Sequence, residues 1–352
     1  MKHRHVKQLG LIAAVLLSAL ASAYSGSINS YYLQVIIFVG INIVLAVSLN
    51  LINGYTGQFS LGHAGFMAIG AYVSAYLSTE QSAGVFNALG GVGTLSIAAV
   101  FLGALLLGGI AAAIAGLAVG IPSLRLKGDY LAIVTLGFGE IIRVLIQTTE
   151  AVGGARGYSG IANYTTLFWT YTIAALTVYI VLSLIDSTYG RGFLTVRDDE
   201  IAAEAIGINT TRYKVTAFTL GAFFAGIAGG LYAHTTTYIN PSGFDFQLSI
   251  QIVIMVILGG MGSTWGVVLA AIVLTLLLEY LRFVAGYEWL PDLVRRIAAN
   301  RTIIFSLVLI GLMLLRPQGL FGALPRMGGA AKRVREPRRR HKPDEPGPGA
   351  TR

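Results

Sequence analysis

Apolar residues run along this chain in long blocks, separated by short polar or glycine-rich stretches. A helix needs about 20 apolar residues to cross a bilayer. On that ruler the pattern predicts about ten spans, at 8–25, 31–52, 60–79, 94–120, 130–148, 166–185, 213–236, 248–261, 266–284 and 302–315. The predicted fold class is all-α: a polytopic integral membrane protein with about ten transmembrane helices, some broken or re-entrant. One long charged segment, Asp186 to Lys214, lies between two apolar blocks. Within it, Glu200, Ala202, Ala203 and Glu204 form a short helical pattern ended by Gly207, and Asn209 or Thr210 is placed to cap the apolar segment that begins near Val215. A helix outside the bilayer followed by a sharp turn into a span suits a docking knob for a partner.

Composition agrees with the pattern. Charged residues make up 12% of the 352 residues, against about 25% in ordinary soluble domains; apolar residues make up 55%, and the mean hydropathy is +0.71. The 44 glycines suit close helix approach in lipid, where small-residue packing replaces the hydrophobic drive. With no cysteine, a disulfide framework, a thiolate metal site and a thiol nucleophile are all excluded. Much of the net charge of +9 sits in the tail beyond Leu324. Residues 325–352, rich in Arg, Lys, Pro and Gly, are expected to form a basic disordered cytoplasmic tail with some affinity for anionic membrane lipids, not a nucleic-acid site; residues 1–324 form the transmembrane domain.

Lys and Arg concentrate on the cytoplasmic side of membrane proteins. With the N-terminus inside, the inner segments hold Lys2, Arg4, Lys7, Arg125, Lys127, Arg191, Arg197, Arg212, Lys214 and the tail, while the outer loops hold Arg156, Arg295, Arg296 and Arg301. Both termini and the Asp186–Lys214 loop are therefore expected in the cytoplasm. The start MKHRHVK, an apolar run and Ala21-Ser22-Ala23 also fit a cleavable signal peptide; an uncleaved anchor is the reading adopted.

Two glycine-rich breaks mark candidate pathway elements. The first, GYTGQFSLGHAGFMAIGAY from Gly54 to Tyr72, contains Gly57, Ser60 and His63 and is too polar for a plain lipid-facing helix. Backbone that breaks at membrane depth must be buried in protein or line a cavity; the plainer reading is a tight hairpin packed through glycines. His63 is a candidate substrate or proton contact, or simply a hydrogen-bonder at a helix start. The second break, Gly259, Gly260 and Gly262 in GGMGSTWG, interrupts the run 248–284. Between the halves, Glu140 and Arg143 lie three residues apart on one helical face. Charges there are costly unless paired or facing water, so they are expected to point into the bundle and toward each other, as a gate or as a structural ion pair.

No G-x-x-x-x-G-K-[ST], H-E-x-x-H, C-x-x-C or G-x-S-x-G occurs, so neither a P-loop nor a familiar catalytic constellation is present. If transport is energised by ATP, the energy must enter from another subunit.

The stretches LNLINGYTGQFSLGHAGFMAIGAY, RLKGDYLAIVTLGFGEIIR, GRGFLTVRDDEIAAEAIGINTTRYKVTAFTLGAFFAGIAGGLYA, SIQIVIMVILGGMGSTWG and LLRPQGLFG together resemble the LivM-type permease of bacterial branched-chain amino acid ABC importers, over about residues 49 to 322. The resemblance implies a subunit of the bacterial inner membrane that works by alternating access. It implies a LivH-type second permease, two cytoplasmic ABC ATPase subunits using ATP and Mg, and a periplasmic or lipid-anchored amino acid binding protein; this chain itself would bind no cofactor and catalyse no reaction. It also implies that Asp199, Glu200, Ala202, Ala203, Glu204, Ala205 and Gly207 form the coupling loop that seats in an ATPase groove. Arg156 in GGARGYSG and the basic tail depart from the family pattern. Leucine, isoleucine and valine are the expected substrates; a urea or short-chain amide importer is the nearest alternative, and an ion-coupled secondary transporter, which would want buried carboxylates, is a more distant one.

Overall fold

The computed structural model describes residues 2–88, 91–123, 128–285, 307, 310 and 311. Of the predicted span 302–315 only residues 307, 310 and 311 are described, and the tail 325–352 with Arg125, Lys127, Arg295, Arg296 and Arg301 lies outside the described residues. The described residues are almost entirely helical. Helix α1 (Lys2–Ala23) is followed by α2 (Ser30–Asn50), which Asn29 caps by accepting a hydrogen bond from the Tyr31 amide. α2 then widens into one π-helical turn over Leu51–Tyr55. After the irregular stretch 56–62 come α3 (His63–Glu80), the short α4 (Ser82–Ala88), α5 (Thr94–Ser123) and α6 (Asp129–Thr148). Strand β1 (Tyr158–Ser159) precedes α7 (Leu167–Ile185), α8 (Thr188–Asp198), α9 (Glu200–Ala205) and α10 (Thr210–Thr236). Strand β2 (Tyr238–Ile239) pairs antiparallel with β1, and α11 (Phe246–Gly259) and α12 (Thr264–Ala285) complete the bundle.

Seven helices among the described residues are long and apolar enough to cross a membrane: Ser30–Tyr55, Thr94–Ile121, Tyr130–Thr148, Leu167–Ile185, Thr210–Thr236, Pro241–Gly259 and Thr264–Phe283. This is a multi-pass, all-α membrane protein. The predicted spans 8–25 and 60–79 correspond to α1 and α3, which are helices but fall short of that length and hydropathy standard. The reason in α3 is its place. It carries His63, Ser74 and Ser78 fully or nearly buried and packs against α10 and α5, so it is a core helix screened from lipid by its neighbours.

At the centre, α10 packs against α5, α3 and α2. In lipid such contacts depend on close approach. A methyl group added at Gly70 or Gly229 would collide with the backbone of the facing helix, which explains why the α3–α10 seam is written in small residues. Polar side chains stitch the periphery: Asn42 Nδ2 donates to Thr275 Oγ1 at 2.9 Å between α2 and α12, and Lys7 of α1 pairs with Asp186 at the end of α7.

The bundle has two ends. One, the elbow end, carries α8 and α9. The other, the hairpin end, carries β1 and β2, where Tyr158 faces Ile239 and Ser159 faces Tyr238. There the Tyr158 hydroxyl donates to Glu80 Oε1 at 3.4 Å; partial burial, reinforced by that carboxylate, raises its pKa above the ordinary value, so the phenol stays a donor.

Candidate functional site: a mid-depth throat and a two-helix elbow

The first glycine-rich break folds as a tight return held by its own polar side chains. Thr56 Oγ1 donates to the Ile52 carbonyl at 2.7 Å, the Gln58 amide donates to the same carbonyl at 3.2 Å, and Asn53 spans the turn, accepting from the Ser60 amide at 3.2 Å and donating to the Ser60 carbonyl at 3.4 Å. Gly57 makes this possible with φ +69°, a left-handed conformation other residues rarely adopt. Ser60 is fully buried, with its hydroxyl lacking a hydrogen-bond partner among the described residues.

The return leads α3 into the bundle below its end. The Leu61 amide donates to Thr135 Oγ1 at 3.0 Å, and Gly65 lies so close to α6 that a methyl there would be 2.9 Å from Gly139 Cα. At a rise of 1.5 Å per residue, Glu140 is about 17 Å along α6 from Asp129, near the middle of a hydrocarbon layer of about 30 Å. At this level α11 also begins. Asp245 caps it by accepting from the Leu248 amide at 3.0 Å, and Ser249 Oγ accepts from the Ala64 amide at 3.2 Å. With 14 residues, α11 is about 21 Å long. Two helices thus start at mid-depth, first turn against first turn, and run toward opposite ends.

Between these starts and α6 lies a throat of about 10 Å³, lined by Leu61, Ala64, Gly139, Glu140, Asp245 and Ser249. That is closed to anything larger than water. Along the same α3–α6 seam toward the hairpin end, an open groove of about 320 Å³ is lined by Ile69, Tyr72, Val73 and Tyr76 of α3 with Leu145, Ile146 and Thr149 of α6. The throat carries two carboxylates, Glu140 and Asp245, and the groove is lined mainly by apolar side chains. Glu140 and Arg143 pair with each other as expected, Arg143 Nε and Nη2 each 2.7 Å from Glu140 Oε2. They do not point wholly inward: their side chains are 38% and 28% exposed, on a face of α6 left uncovered among the described residues.

His63 stands apart from the throat lining. It is fully buried, its Nε2 2.8 Å from Ser48 Oγ, tying α3 to α2. Its Nδ1 has no hydrogen-bond partner among the described residues.

The second break forms the turn from α11 into α12. Gly260 (φ +90°) and Gly262 (φ +81°) take left-handed conformations, and Gly259 packs against the backbone of Val267. The Gly262 amide donates to Asn50 Oδ1 at 2.9 Å, and the Tyr55 hydroxyl is 2.7 Å from Thr264 Oγ1. The turn is thereby fastened to the π-helical end of α2. The two glycine breaks the sequence singles out meet at the elbow end, while His63 and Glu140 lie deeper.

Asp186 to Lys214 is more ordered than a loop with one short helix. It holds two helices; α8 is the one sequence reasoning missed, because its run TYGRGFLTVRD carries two glycines. Ser187 caps α8 by accepting from the Gly190 amide at 3.1 Å. The rings of Tyr189 and Phe193 lie 4.5 and 5.5 Å from that of Tyr213, and the Tyr189 hydroxyl is 3.1 Å from Thr216 Oγ1, welding α8 to α10. Asp199 caps α9, accepting from the Ile201 and Ala202 amides at 2.9 and 3.0 Å. Ala203 is the buried residue of α9; Ala202, Glu204, Ala205 and Gly207 face outward. α9 ends in a Schellman motif: the Ile208 amide donates to Ala203 O at 3.0 Å and the Gly207 amide to Glu204 O at 2.9 Å. Lys214 Nζ pairs with Glu200 Oε1 at 2.6 Å, and Thr210 Oγ1 donates to Glu204 Oε1 at 2.8 Å. Asn209 caps α10, which starts at Thr210, a turn earlier than the apolar run suggests. The elbow presents Ile201 and Ile206, each about seven-tenths exposed, away from the bundle.

Comparison with known proteins fits this geometry. Residues 31–316 match the family described as branched-chain amino acid transport system / permease component. The chain is 34% identical over 350 residues to the high-affinity branched-chain amino acid transport system permease protein LivM of Salmonella typhimurium and, equally, to that of Escherichia coli K12, covering 90% of this chain and 75% of each relative. It is also 24% identical over 252 residues to LivH of Salmonella typhimurium, covering 66% of this chain and 78% of that protein. No solved structure matches. A match across most of the chain, on a bundle with two mid-depth helix starts and a two-helix elbow, places this protein in the branched-chain amino acid transport system permease family.

Proposed function

We propose that this chain is one of two permease subunits of an ATP-driven importer for branched-chain amino acids, paired with a LivH-type permease. Two ABC ATPases act at the elbow end, which is cytoplasmic, and a substrate-binding protein delivers cargo at the hairpin end. The observation that carries this reading is the α8–α9 elbow. It is capped at both helix starts, fixed to α10 by aromatic and ionic contacts, and shows two isoleucines to the outside. Two large exposed aliphatic side chains on a rigid polar elbow are a docking feature, since apolar knobs filling a partner's groove carry most of an interface's energy.

Transport would proceed by alternating access. The groove on the α3–α6 seam receives the apolar side chain of leucine, isoleucine or valine. The closed throat opens only when α3 and α11 part, and ATP-driven movement of the elbow supplies that change. The mechanism requires contacts that differ between two states. The chain itself carries no nucleotide-binding motif, so ATP and Mg act in the partner subunits.

The test is reconstitution with the companion permease, ATPases and binding protein in liposomes. Leucine uptake that requires ATP, the binding protein and the ATPases together supports the proposal. Uptake driven by an ion gradient without ATPases would replace it with secondary transport; uptake of urea or a short amide but not of leucine would reassign the cargo.

A further inference from the structure

Arg197 lies where three separate parts of the chain meet, and nothing in its local sequence sets that position. It is the penultimate residue of α8. Two of its donors are occupied by its neighbour: Nε and Nη2 bond Asp198 Oδ1 at 3.0 and 2.8 Å. The remaining edge of the guanidinium points away from the elbow, Nη1 reaching the Gly54 carbonyl at 3.5 Å in the π-helical turn of α2. A methyl group added to Gly57 would be 2.9 Å from Arg197 Cγ, and one added to Gly262 would be 3.0 Å from Nη1. One side chain therefore wedges between the return that leads into α3 and the turn that ends α11. Those are the two helices whose first turns close the throat. The Gly262 amide to Asn50 and the Tyr55 hydroxyl to Thr264 hold the same two segments to each other.

We infer that Arg197 is a positioning residue that transmits displacement of the elbow to both helices of the throat at once. This rests on the reading of the chain as a permease driven by ATPases at the elbow. A planar guanidinium suits the task, because one edge is fixed by Asp198 while the other engages backbone, an arrangement a lysine ammonium cannot reproduce. Asp198 is two-thirds exposed and serves here to orient the fork.

The experiment compares Arg197→Ala, Arg197→Lys and Asp198→Ala in the complete reconstituted importer, measuring leucine transported per ATP hydrolysed beside ATPase recruitment. In Arg197→Ala, recruitment and hydrolysis are expected near the parent level, while transport per ATP falls about five- to tenfold, the range of a typical coupling between sites. Arg197→Lys and Asp198→Ala are expected to fall between. A parent-like ratio in Arg197→Ala overturns the inference. So does loss of recruitment in proportion to uptake, which marks Arg197 as a mere anchor for the elbow. If Arg197→Ala fails to assemble, the exposed Asp198→Ala decides, and a parent-like ratio there is fatal. Failure of the unmodified complex to couple leucine uptake to ATP refutes the functional reading itself, before any variant is made.

Discussion

Gly207 offers a perturbation whose cost is purely conformational. Its φ of +83° lies in the left-handed region, and a methyl group built on it meets no atom within 4 Å. A Cβ there therefore adds backbone strain and no collision of its own. A left-handed conformation costs an ordinary L-residue about 1–2 kcal/mol, more for a β-branched side chain, whereas asparagine tolerates it well. Replacing glycine also stiffens the unfolded chain, returning about 0.4–1 kcal/mol where strain is absent. The expected order of damage is Asn below Ala below Val. For Val a net strain of about 1.4 kcal/mol lowers the population of the native elbow about tenfold relative to competing conformations. The strain acts on the Schellman motif that turns the chain from α9 toward α10, so the assays are ATPase recruitment and ATP-dependent leucine uptake in the reconstituted complex. All three variants should reach the membrane and pair with the second permease, because Gly207 is exposed and a Cβ built on it meets no atom within 4 Å. Parent-like behaviour of Gly207→Val would refute the argument that this geometry is needed. Equal damage from Asn and Val would show that side-chain bulk at a docking surface, not backbone conformation, is what matters.

Glu204→Lys removes the acceptor for Thr210 and reverses an exposed charge on α9; ATPase recruitment, read by co-purification, should drop while permease pairing survives. Glu200→Gln leaves the Lys214 ammonium, on a side chain only 7% exposed, without its counter-charge, so the thermal midpoint should fall; adding Lys214→Met should recover part of that loss, and failure of the double variant to do so would show that the pair is not what sustains the elbow. Reporter fusions after Lys214 should signal cytoplasm and fusions at Arg156 and Asn240 the outside, and the reverse pattern would remove the ATPases from the elbow end. The last site is set at Asn240, beside β2 at the hairpin end, because the next acidic residue, Asp245, already caps α11 at the throat.

The apolar blocks were legible because a bilayer demands helices of a set length, and α2, α5, α7 and α12 are long, mostly apolar runs. What faces what was not. Lipid is as apolar as leucine, so hydropathy does not separate a helix surrounded by protein from one surrounded by acyl chains. α3 betrays itself only through the polar residues Ser74 and His63, which read equally as a break and as a core. The elbow's second half was legible because Asp199 and Gly207 are local signals, a cap and a left-handed stop. The link from Arg197 to Gly54 spans 143 positions and leaves no trace in spacing.

The throat lies against a face that the described residues do not close. α6 leaves Ile133, Ile141, Val144 and Leu145 exposed, and in their midst Glu140 and Arg143 are paired yet only partly covered. An ion pair facing hydrocarbon at mid-depth costs several kcal/mol even on lenient scales, at about 3 kcal/mol for one central charge. The cost falls if the face is covered by protein or lines water. A second permease seated along α6 would do both: it would bury the isoleucines and complete the wall of a pathway whose other wall is the α3–α6 seam. The same surface that makes this chain unsuited to standing alone in lipid is then the one that makes it half of a conduit. On that view the small throat volume describes the closed state of one half-wall, held shut where the first turns of α3 and α11 meet. Opening it requires movement of those two helices, which the elbow meets at the return before α3 and at the turn after α11.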